Sequence, residues 1–358
     1  MKNNDKNRID SHKLMFHPKR VASWLNGEQI YPVYMEISPT GACNHRCTFC
    51  ALDYREYQPH FLPTRILKER LSELGRLGVK SIMYGGEGEP LLHRDLDEMV
   101  LHTKACGIDV ALTTNAVLLT PERAGKIIPH TSWIKASINA GTPETYSAVH
   151  RTKADDFNRA LENLAAAADL SKKSVGGCVI GAQIILLPEN ADEVEKLAVL
   201  VRDAGLSYLV VKPYSQHLMS KTDCYRDIDY SPYLELQNRL KQYERDDFTV
   251  IFRMNTIKKM HRSQRGYEHC QALPFWSYID AEGFVWGCSA YLGDERFRFG
   301  SILEDSFEKI WNGECRKRSM DFVSKELDTE GCRMNCRMDE INLYLWELTH
   351  PSEHVNFI

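Results

Sequence analysis

The sequence predicts an α/β fold, on three observations. Strand-like and helix-like stretches alternate between residues 33 and 213 with a repeat of about 30 residues, the length of a right-handed βαβ unit. Glycines and cap-then-proline pairs fall where the periodicity changes. After Pro213 the rhythm stops, and the remainder reads as a smaller α+β unit.

The elements follow in order. Residues 33–38 alternate like a strand. Thr64 can cap a helix that runs to residue 77 and stops at Gly78. Residues 79–84 form a second strand, 95–106 a helix closed by Gly107, and 108–113 a third strand. Thr120-Pro121 opens a helix, and 133–138 is a fourth strand. Thr142-Pro143 repeats the cap signal before a long helix over 157–170. Strand 178–187, helix 192–204 and strand 208–212 complete the set. Such a parallel sheet either curls into a partial barrel or lies open, and its site belongs at the carboxyl ends of the strands. Residues 1–30 read as a polar lead-in with little pattern, and 214–247 as a polar excursion. Residues 248–252 suit a strand, and 277–280 with 284–286 a hairpin around Ala281-Glu282-Gly283. The expected division is a lead-in over 1–30, a core over 31–215, a linker over 216–265 and a C-terminal unit over 266–358.

Composition narrows the class. A chain of 358 residues with 43% hydrophobic and 26% charged residues can bury a full core. No apolar run approaches the roughly 20 residues of a membrane span. A net charge of −4 argues against nucleic acid as the main ligand. The start, Met1-Lys2-Asn3-Asn4-Asp5-Lys6, lacks the apolar stretch of a secretory signal, so a cytoplasmic location is expected. Eleven cysteines in such a chain point to metal or redox chemistry rather than disulfides.

Three of them follow the first strand as Cys43, Cys47 and Cys50, a C-x3-C-x2-C spacing. Three thiolates on one loop can hold three irons of a [4Fe–4S] cluster and leave the fourth iron open to a substrate or cofactor. A structural zinc with a distant fourth ligand is the competing reading. Strand two ends in Gly85-Gly86-Glu87-Gly88-Glu89-Pro90, where glycines let backbone approach a ligand and a carboxylate can receive an ammonium. Strands three and four end in Thr113-Thr114-Asn115 and Ser137-Ile138-Asn139.

With these motifs the sequence resembles the radical S-adenosylmethionine (SAM) superfamily over residues 33–213. The resemblance implies a partial (β/α)6 TIM-like barrel. It implies that Cys43, Cys47 and Cys50 hold a [4Fe–4S] cluster, with Phe49 as the aromatic residue before the third cysteine. SAM would chelate the open iron and be cleaved by one electron to methionine and a 5′-deoxyadenosyl radical. The Gly85–Pro90 loop resembles the family's GGE-P loop for the methionyl ammonium, with one extra Gly-Glu step that leaves Glu87 and Glu89 as alternatives. Thr114, Asn115, Ser137 and Asn139 resemble positions that bind the SAM carboxylate and ribose, Arg151 one that reaches the carboxylate, and residues 183–187, ending at Leu187, the stretch that packs the adenine.

The C-terminal unit holds Cys270, then twelve residues to Gly283, four more to Cys288, and a C-x3-C at Cys332 and Cys336. This resembles the SPASM/Twitch extension of radical SAM enzymes, and its shorter Twitch form in particular. It implies a small α+β iron–sulfur domain with one auxiliary [4Fe–4S] cluster, with zinc as the alternative and Cys315 as a possible substitute ligand. Past strand six, Lys212, Tyr214, Ser215, Gln216 and His217 face the expected mouth and suit a polar substrate. Cys224 is a candidate hydrogen-atom donor, while Cys106 and Cys178 read as core residues. Arg253, Arg262 and Arg265 form a basic set that can grip an anion or stay solvated. The resulting expectation is oxidation or epimerisation of a small polar metabolite such as a sugar, an aminocyclitol or a nucleotide sugar. The alternatives are maturation of a ribosomally made peptide and a non-catalytic metal-binding module. An electron donor such as flavodoxin or ferredoxin is implied by the family.

Overall fold

The computed structural model describes residues 8–357 apart from 261 and 263. Its strands form one sheet in the order β10-β9-β8-β1-β2-β3-β4-β5-β6-β7. The parallel part comprises β1 (Tyr34–Ile37), β2 (Ser81–Tyr84), β3 (Asp109–Thr114), β4 (Trp133–Ser137), β5 (Val179–Leu186), β6 (Tyr208–Pro213) and β7 (Thr249–Phe252). Between them run α1 (Pro18–Leu25), ahead of β1, then α2 (Thr64–Arg76), α3 (Leu96–Ala105), α4 (Pro121–Ile127), α5 (Pro143–His150), α6 (Asp155–Lys173) and α7 (Val194–Asp203). Thr120 and Thr142 cap α4 and α5 by accepting from the N–H of Arg123 and Thr145, each with proline in the first turn.

Strand side chains alternate between two faces. Ile82, Leu112, Ile134, Ala136, Ala182, Ile184, Leu209 and Val211 face the helices and pack against Leu71, Leu74, Met99, Leu164 and Leu197. The alternate set, including Met83, Thr113, Lys135, Ser137, Gln183 and Lys212, faces the inside of the partial barrel. Its amino-terminal end is closed by Tyr208, Val210 and Ile251, with Ile9 and Val179 against them.

Several sequence expectations change. The lead-in is structured: α1 sends Val21 into a small core with Leu14, Ile30, Val33, Phe275 and Leu345. One buried residue in eight carries too little periodicity to be read. The first seven residues of that stretch lie outside the described residues. The expected linker contributes β7, which pairs in parallel with β6, so the core has more than six strands. The excursion before β7 packs on the barrel through buried Tyr225, Tyr230, Leu236 and Leu240, the last two on α8 (Leu236–Leu240).

The C-terminal unit continues the barrel sheet. Its strand β8 (Trp276–Ile279) lies parallel beside β1, and β9 (Phe284–Trp286) and β10 (Arg298–Ser301) extend the edge antiparallel. The sequence reading had only helix and loop where β10 stands; this short, bulged strand is too irregular to alternate. The helices α9 (Met254–Met260), α10 (Phe307–Asn312), α11 (Glu314–Lys325) and α12 (Asp339–Thr349) complete the chain. Among the described residues no helix is long and apolar enough to cross a membrane.

Candidate active site

The three-cysteine loop sits at the carboxyl end of β1 and is held by backbone. The N–H groups of Arg46 and Thr48 donate to the carbonyls of His150 (3.1 Å) and Val149 (2.8 Å), which end α5 and need partners. The glycine-rich loop after β2 docks from the other side. A Cβ on Gly88 would lie 2.1 Å from the Ala42 carbonyl oxygen, so only glycine permits this approach. The Glu89 N–H donates to the same carbonyl at 2.8 Å. Cys43, Cys47 and Cys50 are free thiols within electrostatic reach of one another. Burial pushes the Cys43 thiol up to about 12 and Cys47 well above its usual range. Three converging thiols that burial penalises as anions fit a cation-rich cluster, which binds thiolates and offsets that cost. The Cys47 sulfur also meets His150 Nδ1 at 3.2 Å, and His45 lies near enough for its ring nitrogen to join them.

The two candidate carboxylates part company. Glu89 is buried beside the cysteine loop and accepts from Thr114 Oγ1 (2.6 Å) and the N–H groups of Asn115 (2.7 Å) and Leu91 (3.1 Å). Burial raises its pKa, while these donors favour the anion. Glu87 turns away: it accepts from Arg55 Nε and from the Ala281 N–H at 3.0 Å. It therefore ties the glycine-rich loop to the hairpin of the C-terminal unit. Gly86 has a φ of 111°, and a Cβ there would strike Tyr278 Oη and Ser38.

The other strand-end residues gather nearby. Asn115 Nδ2 donates to Asn44 Oδ1 (2.7 Å), inside the cysteine loop. Asn139 Oδ1 accepts from the Ile185 N–H (2.7 Å), and its backbone N–H reaches His150 Nε2 (3.3 Å). Ser137 lies two residues before Asn139 on the inward side of β4. Phe49, Leu187, Tyr214, Tyr225 and Val149 form an apolar cluster touching Cys47 and Ile185, the composition a flat aromatic ligand needs. Arg151 is exposed at the end of α5 with a φ of 49°.

The second cysteine group converges as well. Cys270, Cys288, Cys332 and Cys336 perturb one another electrostatically, and burial pushes their thiols up, Cys336 to about 12. Cys270 Sγ accepts from Asn342 Nδ2 (3.4 Å), and Cys332 Sγ meets Tyr291 Oη (3.3 Å). Four thiols within electrostatic reach of one another fit a single four-thiolate centre. Cys315 is exposed on α11 beside Arg318. Arg265 is buried and donates to the Cys332 carbonyl (2.6 Å), and Arg253 pairs with Asp10, so neither belongs to a solvated face; Arg262 is exposed.

Above the barrel, Tyr214 is buried against Tyr225, its hydroxyl 3.3 Å from Gln216 Oε1. His217 is buried and stacked on Tyr54. Cys224 is exposed, its sulfur 3.2 Å from Thr222 Oγ1. Cys178 is buried in the main core, and Cys106 packs half-buried against it. Sequence reasoning missed Arg55, Lys135, His150 and Arg333. Lys135 had a signal: a lysine at an inward position of a strand whose other face is wholly apolar. The others are brought in by packing between distant segments.

The geometry defines a partial-barrel enzyme with one open three-thiolate loop and one enclosed four-thiolate nest. Comparison gives the class. The model of the Radical SAM superfamily matches residues 37–201, and that of SPASM, an iron–sulfur cluster-binding domain, matches residues 270–337. The chain is a radical SAM enzyme with a C-terminal SPASM-type domain, and its cofactors are SAM, the [4Fe–4S] cluster that binds it and an auxiliary iron–sulfur centre.

Among relatives, GTP 3′,8-cyclase of Chlorobaculum tepidum is 29% identical over 194 residues, 53% of this chain and 56% of that enzyme. The chain thus aligns with little more than half of that relative. Mycofactocin maturase MftC of Mycobacterium tuberculosis is 27% identical over 295 residues, 78% of this chain and 70% of the maturase. The solved structure of Streptococcus suis SuiB bound to the precursor peptide SuiA shares the fold, with TM-score 0.65 and 17% identity over 94% of this chain and 78% of that one.

Proposed function

We propose that this enzyme matures a ribosomally made peptide, crosslinking it or inverting a Cα centre. The observation that carries this reading is the extent of the maturase match, 78% of the chain against 53% for the cyclase, which is more than the barrel alone. The likeness to a peptide-bound fold across 94% of the chain is consistent with it. The small-metabolite reading first drawn from the sequence is supported by the cyclase match, which spans a shorter part of the chain.

In this proposal Cys43, Cys47 and Cys50 hold the SAM-binding cluster, and Cys270, Cys288, Cys332 and Cys336 hold one auxiliary cluster. When bound, the first cluster supplies the electron that cleaves SAM to methionine and a 5′-deoxyadenosyl radical. Glu89, placed beside Cys43, receives the methionyl ammonium against the backbone of Gly85, Gly86 and Pro90. Asn115, Thr114, Ser137, Asn139 and Arg151 bind the carboxylate and ribose, and Phe49 and Leu187 pack the adenine. Glu87 drops out of the cofactor set because Arg55 and the Ala281 N–H occupy it. Lys212 and Tyr214 contact substrate. Cys224 is the thiol from which a hydrogen atom would return to an inverted centre. The electron donor is of flavodoxin or ferredoxin type.

The test is coexpression with short peptides encoded beside this gene, followed by mass spectrometry. Crosslinking removes a pair of hydrogens from the peptide. Inversion leaves its mass unchanged in water and adds deuterium in deuterated water. A Cys224→Ala variant should abolish deuterium uptake and leave any crosslink intact. If no such peptide is modified while the reduced enzyme turns over SAM with a sugar or nucleotide, the proposal is wrong.

A further inference from the structure

The inside of the barrel carries positive charge that the described chain does not neutralise. Lys135 on β4 and Lys212 on β6 project to the same face on either side of β5. Lys212 is level with Ile185, and Lys135 with Gly181. Neither has a hydrogen bond or ion pair with a described residue; Lys135 Nζ lies over the Trp133 ring, 5.5 Å from its centroid. The charges acting on them are cationic: Arg253 on Lys135, and Lys135, Arg253 and Arg333 on Lys212. Burial, first, and these neighbours push Lys135 down to about 8 and Lys212 well below its usual range.

Arg253 has its own partner in Asp10 at 3.2 Å. Arg333 does not. It enters from the turn between Cys332 and Cys336, donates through Nη2 to the Ser215 carbonyl (2.7 Å), and keeps a buried Nε without a partner. Ser215 Oγ and Tyr54 Oη are also buried without partners. Lys135 and Lys212 are half-buried, and unpaired ammonium groups withdrawn from water are costly, so chains pair them with carboxylates where no ligand does so. Lys135 and Arg333 both lie within electrostatic reach of Lys212, and Tyr54 within reach of Arg333, with no carboxylate of a described residue acting on any of the three cations.

We propose that Lys135, Lys212 and Arg333 form a subsite for an oxyanion of the substrate, a side-chain or C-terminal carboxylate of the peptide. The source of the anion rests on the peptide reading; the subsite itself does not. Because Arg333 lies between two auxiliary cysteines, the C-terminal unit helps to seat the substrate as well as to bind iron.

The experiment is lysine footprinting on the anaerobically reconstituted, SAM-loaded enzyme. Trace acetic anhydride labels lysines without added anion, with glutarate as carboxylate probe, and with inorganic tripolyphosphate. Mass spectrometry reads Lys135 and Lys212, with exposed Lys196 as internal control. Glutarate at ten times its dissociation constant should slow both inner lysines about tenfold by mass action and leave Lys196 unchanged. Arg333→Gln should weaken the protection at Lys212; unchanged protection removes Arg333 from the subsite. Failure of both probes to protect, or equal slowing at Lys196, overturns the proposal. Protection by tripolyphosphate alone keeps an anion site and overturns its assignment to a carboxylate. Failure of the peptide reading is read separately, by the coexpression experiment.

Discussion

The two cysteine groups are built on opposite plans. Cys43, Cys47 and Cys50 lie on a single loop, fixed by main-chain bonds to α5 and by the close approach of Gly88. Polar groups from two strand ends flank it: Glu89 after β2 and Asn115 after β3, the latter bonded to Asn44 within the loop. Cys270, Cys288, Cys332 and Cys336 come from three separated segments, and Cys270, Cys288 and Cys336 lie against Trp276, Trp286, Phe297, Val323 and Met338. The first loop takes its shape from these main-chain contacts. The second draws together distant segments, and under the proposed ligation its centre would staple that domain. The difference teaches that one kind of ligand can serve reaction in one place and folding in the other.

Replacing all three loop cysteines, Cys43→Ala, Cys47→Ala and Cys50→Ala, should break the comparison most sharply. Formation of 5′-deoxyadenosine from SAM should cease, while iron falls from about eight to about four per chain. Persisting 5′-deoxyadenosine would mean the SAM-binding site is misassigned. Cys288→Ala acts on the other plan. Loss of the staple should lower the thermal midpoint by roughly 10 °C, because metal binding there contributes to folding. An unchanged midpoint and unchanged iron would remove the structural role.

The same contrast explains what the sequence revealed. The first loop was legible because its three thiols are neighbours in sequence and follow a strand. The six βα units were legible because each strand is apolar toward its helices. The four auxiliary cysteines were found by resemblance, since no local rule places Cys270 near Cys336. The pairing of β8 with β1 was hidden for a similar reason: two strands far apart in the chain meet at a barrel edge, and neither carries a mark of the other. Glu87 and Glu89 were indistinguishable in sequence. Arg55, which separates them, lies on the turn after the cysteine loop and becomes significant only once folded.

Gly88→Ala sharpens the comparison without touching a thiol. The added methyl meets the Ala42 carbonyl oxygen at 2.1 Å and must push the first loop outward. Overpacking of this kind costs about 1–3 kcal/mol. Iron held by the first loop and the affinity for SAM should fall, while iron held by the second nest stays. Equal loss from both nests would mean that the loops are not independently supported.

The smallest effect concerns the seam between the two regions, where Glu87 from the glycine-rich loop and Asp280 from the auxiliary hairpin share Arg55. Burial, then the nearby Glu87, raises the Asp280 carboxyl to about 7, against the N–H groups of Trp286 (2.8 Å) and Phe284 (2.8 Å), which favour its anion. A carboxyl whose folded pKa lies above its unfolded value stabilises the fold when protonated. That contribution is complete below about pH 4 and is lost as the pH rises through about 7. Its ceiling is on the order of a few kcal/mol, reduced by the charge of Arg55. Urea unfolding of the native enzyme should therefore show a falling component of stability across this window. Asp280→Asn, which cannot ionise, should flatten that component while losing some absolute stability with its hydrogen bonds. Identical pH slopes for the two proteins would show that the seam holds its carboxylate as an ordinary anion. The two nests would then be joined by a plain ion pair.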